Sequence, residues 1–354
     1  MNATLPAAAR PGTVECYAGE FQAGDPQAAA AYAEILTAAF EFDIPAYAAG
    51  ETFAASTGLC FLPDLTVSWS RITASRFTRT MRTIAARGTD QILVVCYRSG
   101  HFDMTVAGQT RRVQAGEIAF IDLSQELVIE APAVDNVSLA VSRRKLEAMV
   151  PFLDAAHGFV RPRDALSNVL RGMLEGIAAA GPHIPVVDAR GISAAVLQLV
   201  AACLEPLLRQ TAEAGRNTVS LVAIKAFIEQ HLLEPALGPQ ALLGAFGITR
   251  STLYRLFEPS GGVSAYIARR RLHRAFRLLS DTRQPRGRIS KLATELGFSH
   301  PSAFTRAFKD AFGLSPKDVQ ALAEQSREQD VQLMTSREPM QYLKPLAAVT
   351  AGRD

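Results

Sequence analysis

Groups able to hold a metal or act as a nucleophile are scarce in this sequence of 354 residues. Of six histidines only His101 falls in a strand-like stretch, and it has no HxH partner; His157, His183, His231, His273 and His300 lie elsewhere. A metal centre needs imidazoles and carboxylates that converge with their supporting hydrogen bonds, so neither metal nor cofactor is expected. No GxSxG, HExxH, GxxxxGK or CxxC pattern occurs, which removes common signatures of hydrolase, metalloprotease, NTPase and redox chemistry. The four cysteines, Cys16, Cys60, Cys96 and Cys203, are far apart. Such spacing reads as buried thiols in a reducing compartment rather than as disulfides or a zinc site. No run of about 18 uncharged apolar residues is present, so no membrane-spanning helix is expected. The opening "MNATLPAAARPG" lacks a basic region followed by an apolar stretch, so no secretion signal is expected either. A cytoplasmic location follows as the default.

What is present is the material of a core-forming chain, 48% hydrophobic and 20% charged. The length predicts two or three domains. Charge divides them. Residues 1–215 carry 17 Lys/Arg against 22 Asp/Glu, whereas 216–325 carry 16 against 8. A basic block behind a mildly acidic one points to a polyanion as partner of the second part. Between Leu65 and Ser142, "ILVVCY", "HFDMTVAG", "EIAFID" and "NVSLAV" are short and rich in β-branched or aromatic residues, with Gly100, Gly108 and Gly116 at or near the turns. They predict antiparallel strands in a small barrel or sandwich.

Two helices are predicted next. One carries the stripe Leu166, Val169, Leu170, Met173, Leu174 and Ile177, with Asp164 as its cap. The other carries Ile192, Val196, Leu199, Val200, Cys203, Leu204 and Leu207. These helices within 164–209 either pack on their own domain or join two copies of the chain as a homodimer; the pattern leaves both open. The small, polar "TAEAGRNT" that follows is the predicted linker. The expected organisation is α+β in two domains: a β-barrel or sandwich with packed helices over 1–212, a linker at 213–218, an all-α domain over 219–325, and a polar tail at 326–354.

The all-α domain repeats itself. "LLGAFGITRSTLYRLF" aligns with "LATELGFSHPSAFTRAF", matching Leu242 to Leu292, Phe246 to Leu296 and Gly247 to Gly297. After one extra residue Leu253 matches Phe304, Arg255 matches Arg306 and Phe257 matches Phe308. In the second copy Ile289, Leu292, Ala293 and Leu296 make one apolar helix face. Gly297 follows where a tight turn needs positive φ. Ser299 or His300 can cap the next helix, and Pro301 suits its first turn. There Phe304, Ala307, Phe308, Ala311 and Phe312 point one way and Ser302, Thr305, Arg306 and Lys309 the other. This is the pattern of a helix-turn-helix, whose second helix enters a major groove roughly 12 Å wide. In the first copy Leu253, Leu256 and Phe257 face inward while Arg250, Ser251, Tyr254 and Arg255 face outward. Between the copies, "SAYIARRRLHRAFRLLS" reads as a rigid spacer. Tyr266, Ile267, Leu272, Ala275, Phe276 and Leu279 pack along it, with Arg269, Arg270, Arg271, Arg274 and Arg277 on its other surfaces.

At these residues the sequence resembles the AraC/XylS family of bacterial transcription regulators, over about residues 218–320. "LATELGFSHPSAFTRAFKDAFGLSP" follows the family's second-half pattern nearly throughout, with GF, FxRxFK and FGxSP in place. "ITRSTLYRLFEPSGGVSAYIARRRLHRAFRLL" resembles the first half, with Ala265 where proline is usual; after the final SP of the second half, Val319-Gln320 stands where Tyr-Arg is usual. The resemblance implies a double helix-turn-helix that contacts double-stranded DNA. Its reading residues fall on Ser251, Tyr254 and Arg255, then on Pro301, Ser302, Thr305 and Arg306; Arg250, His300 and Lys309 on the same two helices complete the expected DNA-contacting set. Pro301 offers no hydrogen bond to a base. A looser resemblance over roughly 60–145 implies a cupin-like effector and dimerisation domain. The function so implied is a sequence-specific regulator, an activator by expectation, that meets RNA polymerase and answers to a small-molecule effector. Trp69, Phe77, Phe102 and Phe120 are the candidate effector-lining residues. A cupin-type metal enzyme lacks its histidines here, a DNA-repair protein lacks its reactive-cysteine constellation, and an architectural DNA-binding protein leaves the large acidic N-terminal part without a role.

Overall fold

A computed structural model describes residues 12–335 apart from 38, 151, 152, 214–220, 282–288 and 299. The predicted linker therefore lies almost wholly outside the described residues, as do residues 336–354 of the predicted tail. Two compact units are present: one contains Thr89–Leu204 and the chain before Thr83, the other Glu205–Val331 with Ile84–Gly88.

Among the described residues the first unit holds twelve strands: β1 (Cys16–Phe21), β2 (Glu41–Asp43), β3 (Ala55–Leu62), β4 (Leu65–Ile72), β5 (Ser75–Arg79), β6 (Ile92–Tyr97), β7 (His101–Val106), β8 (Gln109–Gln114), β9 (Ile118–Asp122), β10 (Leu127–Ala131), β11 (Val134–Val141) and β12 (Phe159–Arg161). They form a seven-stranded sheet, β1-β3-β4-β11-β6-β9-β12, and a five-stranded sheet, β2-β5-β10-β7-β8. Every pairing is antiparallel. The four strand stretches anticipated after Leu65 are β6, β7, β9 and β11. Strands β1 to β3, ahead of that limit, were not anticipated. Tyr32, Phe40, Val95, Phe102, Ile121 and Ile129 belong to the core between the sheets.

The register of the large sheet divides its side chains into two faces. Cross-strand partners share a face, so Gly58, Trp69, Val137 and Cys96 form one row, and Cys60, Val67, Leu139 and Val94 another. The indole of Trp69 lies so close over Gly58 that a Cβ there would meet it at 2.2 Å; only glycine fits. This face is covered by α4, which packs on β3, β4 and β11.

Among the described residues up to Glu213 there are five α-helices: α1 (Ala28–Leu36), α2 (Met81–Arg87), α3 (Arg143–Glu147), α4 (Ala165–Ala180) and α5 (Val186–Glu213). Asp164 caps α4 as expected, accepting from the Ser167 N–H at 2.8 Å while the Ser167 hydroxyl accepts from the Asp164 N–H. Val169 departs from its stripe and is exposed. On α5, Val196, Val200, Cys203 and Leu204 are buried within the subunit. Leu207 lies where side chains are not described. Length and composition alone would let Val186–Glu205 cross a membrane, the one such span among the described residues; its buried stripe is that of a helix packed on protein.

Buried cations pin the loops of this unit. The Arg79 guanidinium donates to the carbonyls of Leu123, Ala39 and Thr89. Burial pulls it down to about 9, still protonated at neutral pH. Arg143 pairs with Asp122 in the interior. Burial alone would raise the Asp122 carboxyl, but the Arg143 charge and hydrogen bonds from Arg143, Gln125 and Ser124 hold it well below the usual carboxylate range.

The cysteines correct an expectation. Cys16 and Cys60 face one another in the β1–β3 register and form a disulfide, while Cys96 and Cys203 are buried free thiols. Sequence distance hid a pairing that strand register creates. The bridge closes a loop of 44 residues, and removing it should cost about 2–4 kcal/mol. Trp69, the sole tryptophan, reports on this sheet. Dithiothreitol should lower the urea midpoint of its fluorescence transition in the wild type and leave Cys16→Ser unmoved; an unmoved wild type would reject a stabilising bridge.

Candidate nucleic-acid interface

The second unit is helical: α6 (Leu221–Gln230), α7 (Pro239–Phe246), α8 (Arg250–Phe257), α9 (Val263–Ser280), α10 (Ile289–Glu295), α11 (Pro301–Phe312) and α12 (Pro316–Thr335). Helix α12 takes in the first part of the stretch expected to be a polar tail. The helix pairs α7–α8 and α10–α11 are the two repeats. Each has a left-handed glycine at its turn, Gly247 with φ 60° and Gly297 with φ 74°. In the first, the Thr249 hydroxyl caps α8 by accepting from the Thr252 N–H. In the second, His300 occupies the cap position without a side-chain cap bond and Pro301 starts α11. Ser299 lies outside the described residues.

Apolar periodicity fixes what each second helix presents. Leu253 and Phe257 are fully buried with Ile224, Ile228 and Leu242. That leaves Arg250, Ser251 and Arg255 exposed and Tyr254 47% exposed. On α11, Phe304, Phe308 and Phe312 are buried and stack on one another and on Phe276. Pro301, Ser302, Arg306 and Lys309 are exposed beside the exposed His300. Thr305 is half-buried and its hydroxyl donates to the Pro301 carbonyl at 2.9 Å. Two expected core alanines stand further out: Ala307 is half-buried and Ala311 exposed, because the phenylalanines alone fill the contact.

Helix α9, of 18 residues and so about 27 Å long, joins both halves. Val263 and Ile267 enter the first core, while Phe276 stacks in the second. The reading of its arginines needs correction. Arg270 and Arg271 are not surface cations but only 7% and 9% exposed. Arg270 forms a two-pronged ion pair with Glu229 of α6. Arg271 donates to the carbonyls of Leu232 at 3.0 Å and Glu234 at 2.8 Å. The same guanidinium lies over Gly297, where a Cβ would meet Nη1 at 2.7 Å. It thus links the carbonyls that follow α6 to the turn of the second repeat. Continuing the stripe Val263–Ile267 by three and four residues lands on 270 and 271, so the periodicity carried the signal. The charge of the residues masked it.

The candidate effector residues separate. Within the β-unit a cavity of about 180 Å³ lies between the sheets, lined by Phe77 and Phe102. Trp69 lies on the opposite face of β4, over Gly58. Phe120 is buried beside Phe159. Neither of these two lines the cavity. The free thiols are poor nucleophiles: burial pushes Cys96 up to about 12 and Cys203 up to about 11.

A family model described as a helix-turn-helix domain matches residues 242–321, which hold both repeats. The transcriptional activator NphR of a Rhodococcus species is 28% identical over 260 residues, 72% of this chain and 76% of that protein. Together with the matched helix-turn-helix domain, this similarity supports a regulator of the AraC type. The probable transcriptional regulator LumQ of Photobacterium leiognathi is 33% identical over 104 residues, 29% of this chain and 40% of LumQ. In overall fold the crystal structure of the AraC-like transcriptional activator CuxR is similar, with a TM-score of 0.50 at 22% identity over 74% of this chain and 95% of that one. The similarities support a DNA-binding transcription regulator with a β-rich first unit and a helical second unit that holds the helix-turn-helix domain.

The turn glycines supply a test of the α9 arrangement. Gly297→Ala should destabilise the helical unit by about 1–2 kcal/mol for the left-handed backbone alone, and further through the Arg271 contact. Gly244→Ala, in α7 with open space at its Cβ, should stabilise by about 0.5–1 kcal/mol. Urea titrations followed at 222 nm compare them; similar shifts for both would reject the role given to Gly297.

Proposed function

We propose that the protein activates transcription by setting α8 and α11 into adjacent major-groove segments of one duplex. The observation behind this reading is that both helices bury their aromatic and leucine face and leave Arg255 and Arg306 in solvent. Arginine takes guanine through two hydrogen bonds, and serine or threonine reaches base edges. Arg255 and Arg306 are the base readers in this scheme, with Ser251, Tyr254, Ser302 and Thr305 beside them. Arg250, His300 and Lys309 face phosphates, and Pro301 starts its helix without donating. The activating sign is supported by NphR and CuxR, both activators by name, and implies contact with RNA polymerase. A small molecule in the β-domain cavity controls the output, and the protein works in the cytoplasm without catalysing a reaction. A homodimer through the helices within 164–209 is favoured by the exposed Val169, Val186 and Val187 on α4 and α5.

Arg255→Ala and Arg306→Ala should each cost about 1–3 kcal/mol of operator affinity and relax preference at one base pair. Lys309→Ala should instead weaken binding evenly across sequences and flatten the salt dependence by about one unit of slope. Fluorescence anisotropy on a promoter fragment and its single-base variants, at several salt concentrations, measures all three. Full affinity in both arginine variants would remove them from the reading surface.

A further inference from the structure

The β-unit cavity has a chemistry specific enough to name a ligand class. Three rows of the large sheet that carry polar side chains turn inward there. Ser68 pairs across the register with Ser138, and Ser70 with Asn136. Thr66 continues the line beside Ala140, and all of these line the cavity. Small hydroxyl and amide groups thus occupy one wall. The facing wall is aromatic and aliphatic, including Phe40, Phe77, Phe102 and Ile129. Among the described residues none of those lining the cavity carries a charge.

Thr66 supplies an independent pointer. It is 6% exposed, and its Oγ1 has no hydrogen-bond partner among the described residues. Ser70 on the same face is served: its hydroxyl is 2.8 Å from that of Thr57 and also bonds the Tyr32 hydroxyl. A buried hydroxyl left alone costs free energy, so native structures partner such groups. Thr66 lines the cavity, so a group held inside it can supply that partner.

Size and charge narrow what that partner is. An apolar cavity of roughly 150 Å³ accepts benzene, so about 180 Å³ suits one six-membered ring with a short substituent. A carboxylate or ammonium group buried without a counter-charge is strongly disfavoured. We infer that the cavity binds an uncharged single-ring compound whose hydroxyl, carbonyl or amide substituent bonds Thr66 and the Ser68–Ser138 row. The ring packs against Phe77 and Phe102. This rests on the reading of the β-domain as an effector domain.

The test uses the full chain and a matched series: benzyl alcohol and benzamide as neutral probes, benzoate and benzylammonium as charged ones, and toluene without a polar group. Isothermal titration at neutral pH should show the neutral polar probes binding at least tenfold more tightly than the charged pair. Thr66→Val, which keeps the shape, should weaken benzamide several-fold and leave toluene unchanged. Binding of benzoate as tight as that of benzamide, an unaltered benzamide affinity in Thr66→Val, or no binding by any probe overturns the assignment. Operator binding with and without each probe separates the two readings. A neutral probe that binds the cavity without changing operator affinity or transcription defeats the effector role and leaves the ligand class standing. A charged probe that shifts operator affinity does the reverse.

Discussion

Everything the helical unit does depends on α9 being buried along a stripe that includes two arginines. A guanidinium in an interior survives only when its donors are met. Glu229 meets Arg270, and the carbonyls of Leu232 and Glu234 meet Arg271. Because these partners are fixed points of the first half, the arginines set the rotation of α9. Gly297 then lets the second turn settle directly on Arg271. Two repeats that could otherwise swivel on a single helix are held by directional hydrogen bonds as well as by packing. A lysine at 271 would carry the charge without the planar fork that reaches both carbonyls.

That rigidity matters for the proposed function. Arg255 and Arg306 are long and on that reading would lose entropy on binding DNA, so any uncertainty in the helices beneath them would add to the cost. The phenylalanine cluster under α11 and the Leu253–Phe257 face under α8 remove that uncertainty. They also explain the alternation of aromatic and polar residues in "FTRAFK": one helix face holds the position, the other is left in solvent.

In the β-unit the same logic runs through strand register. Residues of β4 alternate between a dry side, where Trp69 covers Gly58 and Cys60 joins Cys16, and a side where Thr66, Ser68 and Ser70 line a cavity. Small hydroxyl side chains leave space that larger ones would fill, so the sequence "LTVSWSRI" builds packing and vacancy from one strand. A shift of one residue would exchange the two faces.

The sequence by itself determined the helical repeat, its turns at Gly247 and Gly297, and the exposed faces of α8 and α11, because a period of 3.6 is local and needs no partner to be visible. The Asp164 cap on α4 was legible for the same reason. Strands were legible only where β-branched residues cluster, as in "ILVVCY"; the polar edge strand "QTRRVQ" and the three-residue β12 carry too little pattern. Only the tertiary structure decided the Cys16–Cys60 pairing, the burial of Arg270 and Arg271, and which aromatic residues meet the cavity. Each of these depends on residues brought together from about 40 or more positions apart in the chain, as with Arg271 and Leu232 or Cys16 and Cys60. Local periodicity fixes which way a side chain faces along its own element, whereas what it then meets is set by the register and packing of others.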